Sequence, residues 1–101
     1  MTQTCLEKYA SAEEQKIARR LVRHLLKCGY ELAVDDGEEI TTPCTTDADT
    51  ILAALATTGM DRIHCYVNGQ QKSWVLLIWC NGEDLISDHG ASLEKELRVF
   101  F

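Results

Sequence analysis

The sequence predicts a two-layer α+β sandwich, with a mainly antiparallel sheet of about five strands and helices on one face. An amphipathic helical pattern with start and stop signals occupies residues 11–29. Strand-like runs follow, and three connections between them carry hairpin-turn residues. The predicted order is α-β-β-α-β-β-β-α in a single domain over residues 11–101, preceded by a flexible lead-in over residues 1–10.

The first predicted helix has the clearest local signals. Ser11 and Glu14 have the spacing of a capping box, and Gly29 suits the left-handed position after a helix end. Apolar residues recur between them with the helical period, at Ile17, Ala18, Leu21, Val22, Leu25 and Cys28. The opposite side carries a basic stripe at i, i+4, i+7 and i+11, formed by Lys16, Arg20, Arg23 and Lys27.

A hairpin and a second helix are predicted next. Residues 30–34 alternate as a half-buried strand. An acidic turn follows, formed by Asp35, Asp36, Glu38 and Glu39. The partner strand, over residues 39–42, is expected to stop at Pro43, which cannot donate to a ladder and sits at an end or edge. Thr46 is expected to cap a helix that ends at Gly59.

The remaining residues predict a meander and a final helix. Its three strands are expected over residues 62–67, 72–80 and 84–87. Asn68-Gly69 is a type I′ turn signal, and Asn81-Gly82 supplies the second turn. Ser92 or Asp88 is expected to start the last short helix.

The strand over residues 72–80 is apolar on both faces. One face is expected to carry Val75, Leu77 and Trp79, and the other Trp74, Leu76, Ile78 and Cys80. If helices cover only one side of the sheet, the second apolar side must contact something else, such as a second subunit in a homodimer.

Charge is distributed unevenly along this acidic chain, whose net charge is −6. Residues 1–30 have a balance of +3, residues 31–61 carry eight acids and no Lys or Arg, and residues 62–101 are nearly neutral. Such segregation favours oriented association with a partner. The acidic balance disfavours general nucleic-acid binding, which normally needs a basic face.

Several kinds of chemistry lack their residue patterns. Five cysteines without a CxxC motif predict free thiols, and neither a signal peptide nor a membrane-length apolar segment is present, so a cytoplasmic protein without membrane association is expected. No zinc spacing, EF-hand spacing or phosphate-binding glycine loop occurs, so no metal and no cofactor is expected. Cys80 and His89, beside Asp88, lack a nucleophile signature, so no catalytic residue is expected.

Four short stretches suggest a setting: Cys28-Gly-Tyr30, Val34-Asp-Asp-Gly-Glu-Glu39, Trp74-Val75 and Ile86-Ser-Asp-His89, which leads to Leu93-Glu94. Together they resemble stretches that recur in small uncharacterised proteins of bacteriophages and prophage regions. The resemblance covers most of residues 20–97. It implies a phage or mobile-element accessory protein in the bacterial cytoplasm, with no activity attached.

These patterns favour a non-enzymatic binding protein that meets a protein partner, such as a host factor, through charge complementarity. The residues expected to bind are Lys16, Arg20, Arg23 and Lys27 of the basic stripe and Asp35, Asp36, Glu38 and Glu39 of the acidic turn. An ordinary solvated helix face is the simpler reading of the stripe. A nucleic-acid-binding module that uses the first helix is the alternative function, and a small hydrolase using Cys80 and His89 comes third.

Overall fold

The computed structural model describes residues 3–100. Its helices are α1 (Cys5–Tyr9), α2 (Ala12–Lys27), α3 (Ala48–Ala53) and α4 (Glu94–Leu97). Its strands are β1 (Glu31–Asp35), β2 (Ile40–Thr45), β3 (Met60–Val67), β4 (Gln70–Ile78) and β5 (Ile86–His89). Short 3₁₀ turns occupy Gly82–Asp84, Ala91–Leu93 and Arg98–Phe100.

The strands form one antiparallel sheet in the order β2-β1-β3-β4-β5. Buried apolar side chains from all four helices share one core with the inward side chains of β1, β3 and β4. The helices therefore lie on one face of the sheet, and the predicted α+β class is confirmed. No helix among the described residues is long and apolar enough to cross a membrane.

Helix α2 begins as its sequence predicts. Ser11 Oγ accepts a hydrogen bond from the Glu14 N–H at 3.1 Å, and the Glu14 carboxylate accepts one from the Ser11 N–H at 3.0 Å. The second oxygen of the same carboxylate accepts the Asn81 N–H at 3.0 Å. This third bond joins the helix start to the turn after β4 and explains why Glu14 is buried. After the helix, Gly29 has a φ of 96°, as expected for its left-handed position.

The predicted flexible lead-in over residues 1–10 contains helix α1 instead. Thr4 and Glu7 form a complete capping box at its start. Leu6 is 1% exposed and belongs to the main core, so its burial holds the helix against the rest of the fold. Residues 1 and 2 of the predicted lead-in, and residue 101 of the predicted domain, lie outside the described residues.

Strand β2 runs through Pro43, where the sequence was expected to stop it. Because β2 is an edge strand, it can tolerate a residue without an N–H, so the edge position predicted for Pro43 is confirmed. Helix α3 ends at Ala53, well before Gly59. The chain turns away at Ala56, whose φ is 62° and whose N–H donates to the buried carboxylate of Asp61.

The predicted three-stranded meander is present, but its strands begin and end at other residues than predicted. Asn68 and Gly69 have φ values of 51° and 78°, in agreement with the type I′ turn signal. Strand β5 begins only at Ile86, because Gly82–Asp84 forms a 3₁₀ turn. The final helix is likewise divided into a 3₁₀ turn over Ala91–Leu93 and the short α4.

Strand β4 has the two apolar faces that its sequence predicts. Val75, Leu77 and Trp79 are buried beneath the helices. Trp74, Leu76 and Ile78 point to the opposite side and are only partly buried. We call that side of the sheet the open face, because none of the described helices packs on it. Its central residues are Ala33 on β1, Met60, Arg62 and His64 on β3, and Trp74, Leu76 and Ile78 on β4.

Candidate interaction surfaces

The basic stripe lies on the solvent side of α2. All four of its members are exposed, and they extend over about 16 Å of helix. Within residues 3–100 the only carboxylate at ion-pair distance from a basic side chain is that of Asp35, beside His64, so no acid in this range pairs with the stripe. The side chains of Lys16, Arg23 and Lys27 form no hydrogen bond in this range either. Lys16, Arg23 and Lys27 are therefore cations that the described fold leaves unpaired.

Arg20 differs from the other three members because the C-terminal segment packs against it. Its guanidinium carbon lies 5.0 Å from the ring centroid of Phe100, and its Nη2 donates to the Val99 carbonyl at 3.4 Å. One turn later on α2, His24 Nε2 donates to the Glu96 carbonyl at 2.6 Å. Arg20 thus has a structural contact as well as an exposed charge.

The acidic residues at the start of α2 form no ion pair with the basic stripe. Glu14 is buried, and both of its carboxylate oxygens accept backbone N–H groups. Glu13 is exposed and lines a shallow depression of about 450 Å³ together with Lys16 and Arg20. An overlapping depression of about 420 Å³ extends the concave surface to Arg23. The solvent side of α2 is therefore both cationic and slightly concave.

The structure divides the acidic turn into two kinds of carboxylate. Asp36 is used within the turn, because its Oδ1 accepts the N–H groups of Glu38 and Glu39 at 3.0 and 2.9 Å. Hydrogen bonds from these two N–H groups, first that of Glu39, lower the pKa of Asp36 below its ordinary value. Glu38 and Glu39 are exposed. Their carboxylates are the members of the turn that can meet a partner.

The side chain of Asp35 lies on the open face. Its Oδ2 lies 2.6 Å from His64 Nε2, and its Oδ1 accepts the Gly37 N–H at 2.7 Å. Burial acts to raise the pKa of Asp35, but the hydrogen bonds from His64 and Gly37 outweigh burial and the pKa is lowered. Gln71 Nε2 lies 2.8 Å from the other ring nitrogen of His64. A row of hydrogen-bonded side chains, Asp35, His64 and Gln71, therefore crosses one side of the open face.

Arg62 is the functional candidate that the sequence reasoning missed. It lies on β3 opposite Asp35 of β1, and its guanidinium carbon is 5.5 Å from the centroid of Trp74. Its Nε is buried without a hydrogen-bond partner in the described part of the chain. Alternation along β3 places Arg62 and His64 on the same side, and this signal could have identified both residues.

A buried carboxyl group lies at the opposite side of the sheet. Asp61 is fully buried, and its Oδ2 accepts the Ala56 N–H at 2.8 Å and the Trp79 Nε1–H at 2.7 Å. Its Oδ1 has no partner among the described residues. Burial raises the pKa of Asp61 to about 6, although its two hydrogen bonds act in the other direction. Asp61 fixes the loop after α3 to the end of β4.

The residues weighed for nucleophilic catalysis do not come together. His89 pairs with Val75 in the β4–β5 ladder, whereas Cys80 follows the far end of β4. Cys65 points into the core, away from His64, and burial raises the pKa of its thiol to about 12. Between residues 3 and 100, no group of three or more His, Cys, Asp and Glu side chains is placed to hold a metal ion.

Comparison with protein-family models, with curated proteins and with solved structures gives no match.

Proposed function

We propose that this protein is a non-enzymatic binding protein whose basic stripe receives an acidic surface of a protein partner. One observation carries the proposal: the side chains of Lys16, Arg23 and Lys27 are exposed together on α2 and form no ion pair or hydrogen bond within residues 3–100. Like charges held on one helix face repel one another. Carboxylates of a partner would relieve this repulsion and would also steer the encounter.

The wider setting of the proposal comes from the sequence. The resemblance to phage and prophage proteins supports an accessory factor that acts on a host protein in the bacterial cytoplasm. Glu38 and Glu39 are the proposed acidic contacts. The Asp36 carboxylate already accepts hydrogen bonds within the turn, and the Asp35 carboxylate is hydrogen-bonded to His64. The two charged regions would then give the partner a defined orientation.

A capture experiment with matched variants tests the proposal. The tagged wild-type protein is compared with K16E/R23E/K27E and with K8E/K72E/K95E, which changes the net charge equally at exposed lysines outside the stripe. Each is incubated with nuclease-treated bacterial lysate, and bound proteins are quantified by mass spectrometry. We expect at least one protein to be captured by the wild type and the control but lost with the stripe variant. Identical capture by all three proteins would overturn the proposal.

Nucleic-acid binding by the same stripe is the competing function. The charge on Lys16, Arg23 and Lys27 would also suit phosphates, but the chain as a whole carries a net charge of −6. Duplex and single-stranded DNA should therefore give no gel shift with the wild type at either about 50 or about 200 mM salt. A complex that weakens steeply with salt and disappears in K16E/R23E/K27E would replace the protein-binding proposal.

A further inference from the structure

We infer that the open face is a second docking surface, and that its occupant is an amphipathic helix of a partner protein carrying Lys or Arg beside its apolar residues. This inference does not depend on the basic stripe, which lies on the other layer of the fold, although it shares Glu38 with the acidic contacts proposed above. It rests on the apolar surface of β3 and β4 and on the charges that surround that surface.

The open face is apolar along β4 and at Met60. Trp74, Leu76 and Ile78 stand in line along β4, and Met60 lies directly opposite Ile78 on β3. None of these four side chains belongs to the core or packs against it. Ile40, on the edge strand, is 62% exposed. An apolar sheet face is normally covered by a second layer, and none of the described residues supplies one.

The dimensions of this surface suit one helix. Trp74 and Ile78 are four residues apart on β4, which corresponds to about 13 Å. The strands β1, β3, β4 and β5 together span about 14 Å across the sheet, compared with a helix diameter of about 10 Å. A helix on this side would complete a three-layer arrangement around the sheet.

The charges around the apolar centre define the partner's chemistry. Asp35 on β1 and Asp88 on β5 lie in one cross-strand row with Arg62 and Leu76, and Glu31 lies further along β1. Arg62 is the cation of this row, and it already lies beside Asp35 and over Trp74. A partner with additional cations is therefore favoured over an acidic one.

A depression beside the acidic turn offers a place for such a cation. It has a volume of about 450 Å³, and Asp36, Glu38 and Met60 contribute to its walls. A Lys or Arg of the partner could pack its aliphatic stem on Met60 while its charged end reaches Glu38. Its neighbouring apolar residues would then lie on Ile78 and Leu76.

A second copy of this chain fits the open face less well. Face-to-face packing of two copies would bring Glu31, Asp35 and Asp88 from both chains to one interface, with the Arg62 of each copy as the cation of the row. Carboxylates that approach one another in a desolvated contact are repulsive. The homodimer predicted from the β4 sequence is therefore an outcome of the test below and not the proposed occupant.

Tryptophan fluorescence tests the inference directly, because Trp74 lies on the open face and the second tryptophan, Trp79, is buried. The full chain is titrated with a synthetic amphipathic helix of Leu and Lys, about 14 residues long, and with the same peptide carrying Glu in place of Lys. We expect a saturable blue shift with the Lys peptide alone. The shift should disappear in W74F.

Two variants identify the surface. E38K/E39K should weaken binding of the Lys peptide about tenfold, because it replaces attraction by repulsion. I78E should abolish binding of the peptide, because it places a charge on the apolar surface. V99E places the same new charge on an exposed apolar residue elsewhere and should bind like the wild type. Absence of a saturable shift, equal responses to the two peptides, or equal binding by I78E and V99E would overturn the inference. A stable dimer measured by light scattering, with Trp74 protected before any peptide is added, would also overturn it.

Discussion

The guanidinium carbon of Arg62 lies 5.5 Å from the ring centroid of Trp74, on the side of the sheet that no described helix covers. The two residues come from neighbouring strands, where Arg62 pairs with Leu76 and Trp74 with His64. Their contact is therefore diagonal across β3 and β4. An arginine stacked on an aromatic residue at the centre of an apolar surface is a composition enriched in protein interfaces.

We predict a measurable coupling between Arg62 and Trp74 in the isolated protein. A double-mutant cycle with R62M and W74L should give an interaction free energy of about 0.5–1 kcal/mol, because a cation over an aromatic face at a partly exposed site contributes about that much. Urea unfolding followed by circular dichroism measures it. The pair R23M and W74L is the control and should be additive. Additivity in both pairs would contradict a contact between Arg62 and Trp74.

We predict that Asp61 makes stability fall as pH rises through about 6. Burial raises the pKa of Asp61 from 3.8 to about 6, so the folded protein holds a proton that the unfolded chain has released. The resulting stabilisation is complete below about pH 4 and is lost as pH rises through the folded pKa. Relative to D61N, the wild type should lose on the order of 2 kcal/mol of unfolding free energy between pH 4 and pH 7.

Denaturant unfolding of both proteins at several pH values provides this measurement. The exposed Asp84 supplies the matched control, because D84N removes a carboxylate that is not buried. The difference between the wild type and D84N should show no comparable fall. A pH-independent difference between the wild type and D61N would show that Asp61 does not hold its proton in the folded state.

We predict that two adjacent glutamates of α2 have very different effects on stability. E14A should lower the unfolding free energy by about 2 kcal/mol, because it removes the capping box and leaves the Ser11 and Asn81 N–H groups without acceptors. E13A, at an exposed position, should change it by less than about 0.5 kcal/mol. Thermal and urea unfolding of the two variants provide the comparison. Equal losses would contradict the assigned role of Glu14.

We predict that alanine substitutions of Arg20 and Arg23, both in the basic stripe, differ in their effect on stability although both weaken binding. R20A should lower the unfolding free energy by about 0.5–1 kcal/mol, because Arg20 stacks on Phe100. R23A should leave stability within about 0.5 kcal/mol of the wild type. Both variants should weaken capture of an acidic partner. Loss of capture in R20A but not in R23A would show that packing of the C-terminal segment, and not the exposed charge, determines binding.

Local sequence signals were sufficient for much of the fold. The capping box of α2, Gly29 after it and the Asn68-Gly69 turn each act within a few residues, and the structure contains all three. The same kind of signal was present for α1, since Thr4 and Glu7 have capping-box spacing. That helix was missed because its five residues contain a single buried side chain, Leu6, and hence no periodic pattern.

The contacts that build the open face could not be read from local patterns. Asp35 and His64 are 29 residues apart in sequence, and their meeting depends on β1 pairing with β3. The burial of Asp61 likewise depends on Trp79, 18 residues later. Residue type favours an exposed aspartate at either position. Only the sheet order brings Asp35 next to β3 and Asp61 next to Trp79.

The most direct test of the proposed function is site-specific photo-crosslinking in bacterial cells. Benzoylphenylalanine is placed at the exposed Glu13, which lines the same depression as Lys16 and Arg20 and is not itself a proposed contact, and, as a control, at the exposed Asp49 on α3. We predict an ultraviolet-dependent adduct with a discrete protein from position 13 and none from position 49. No adduct from position 13, or an adduct that nuclease removes, would contradict binding of a protein by the basic stripe.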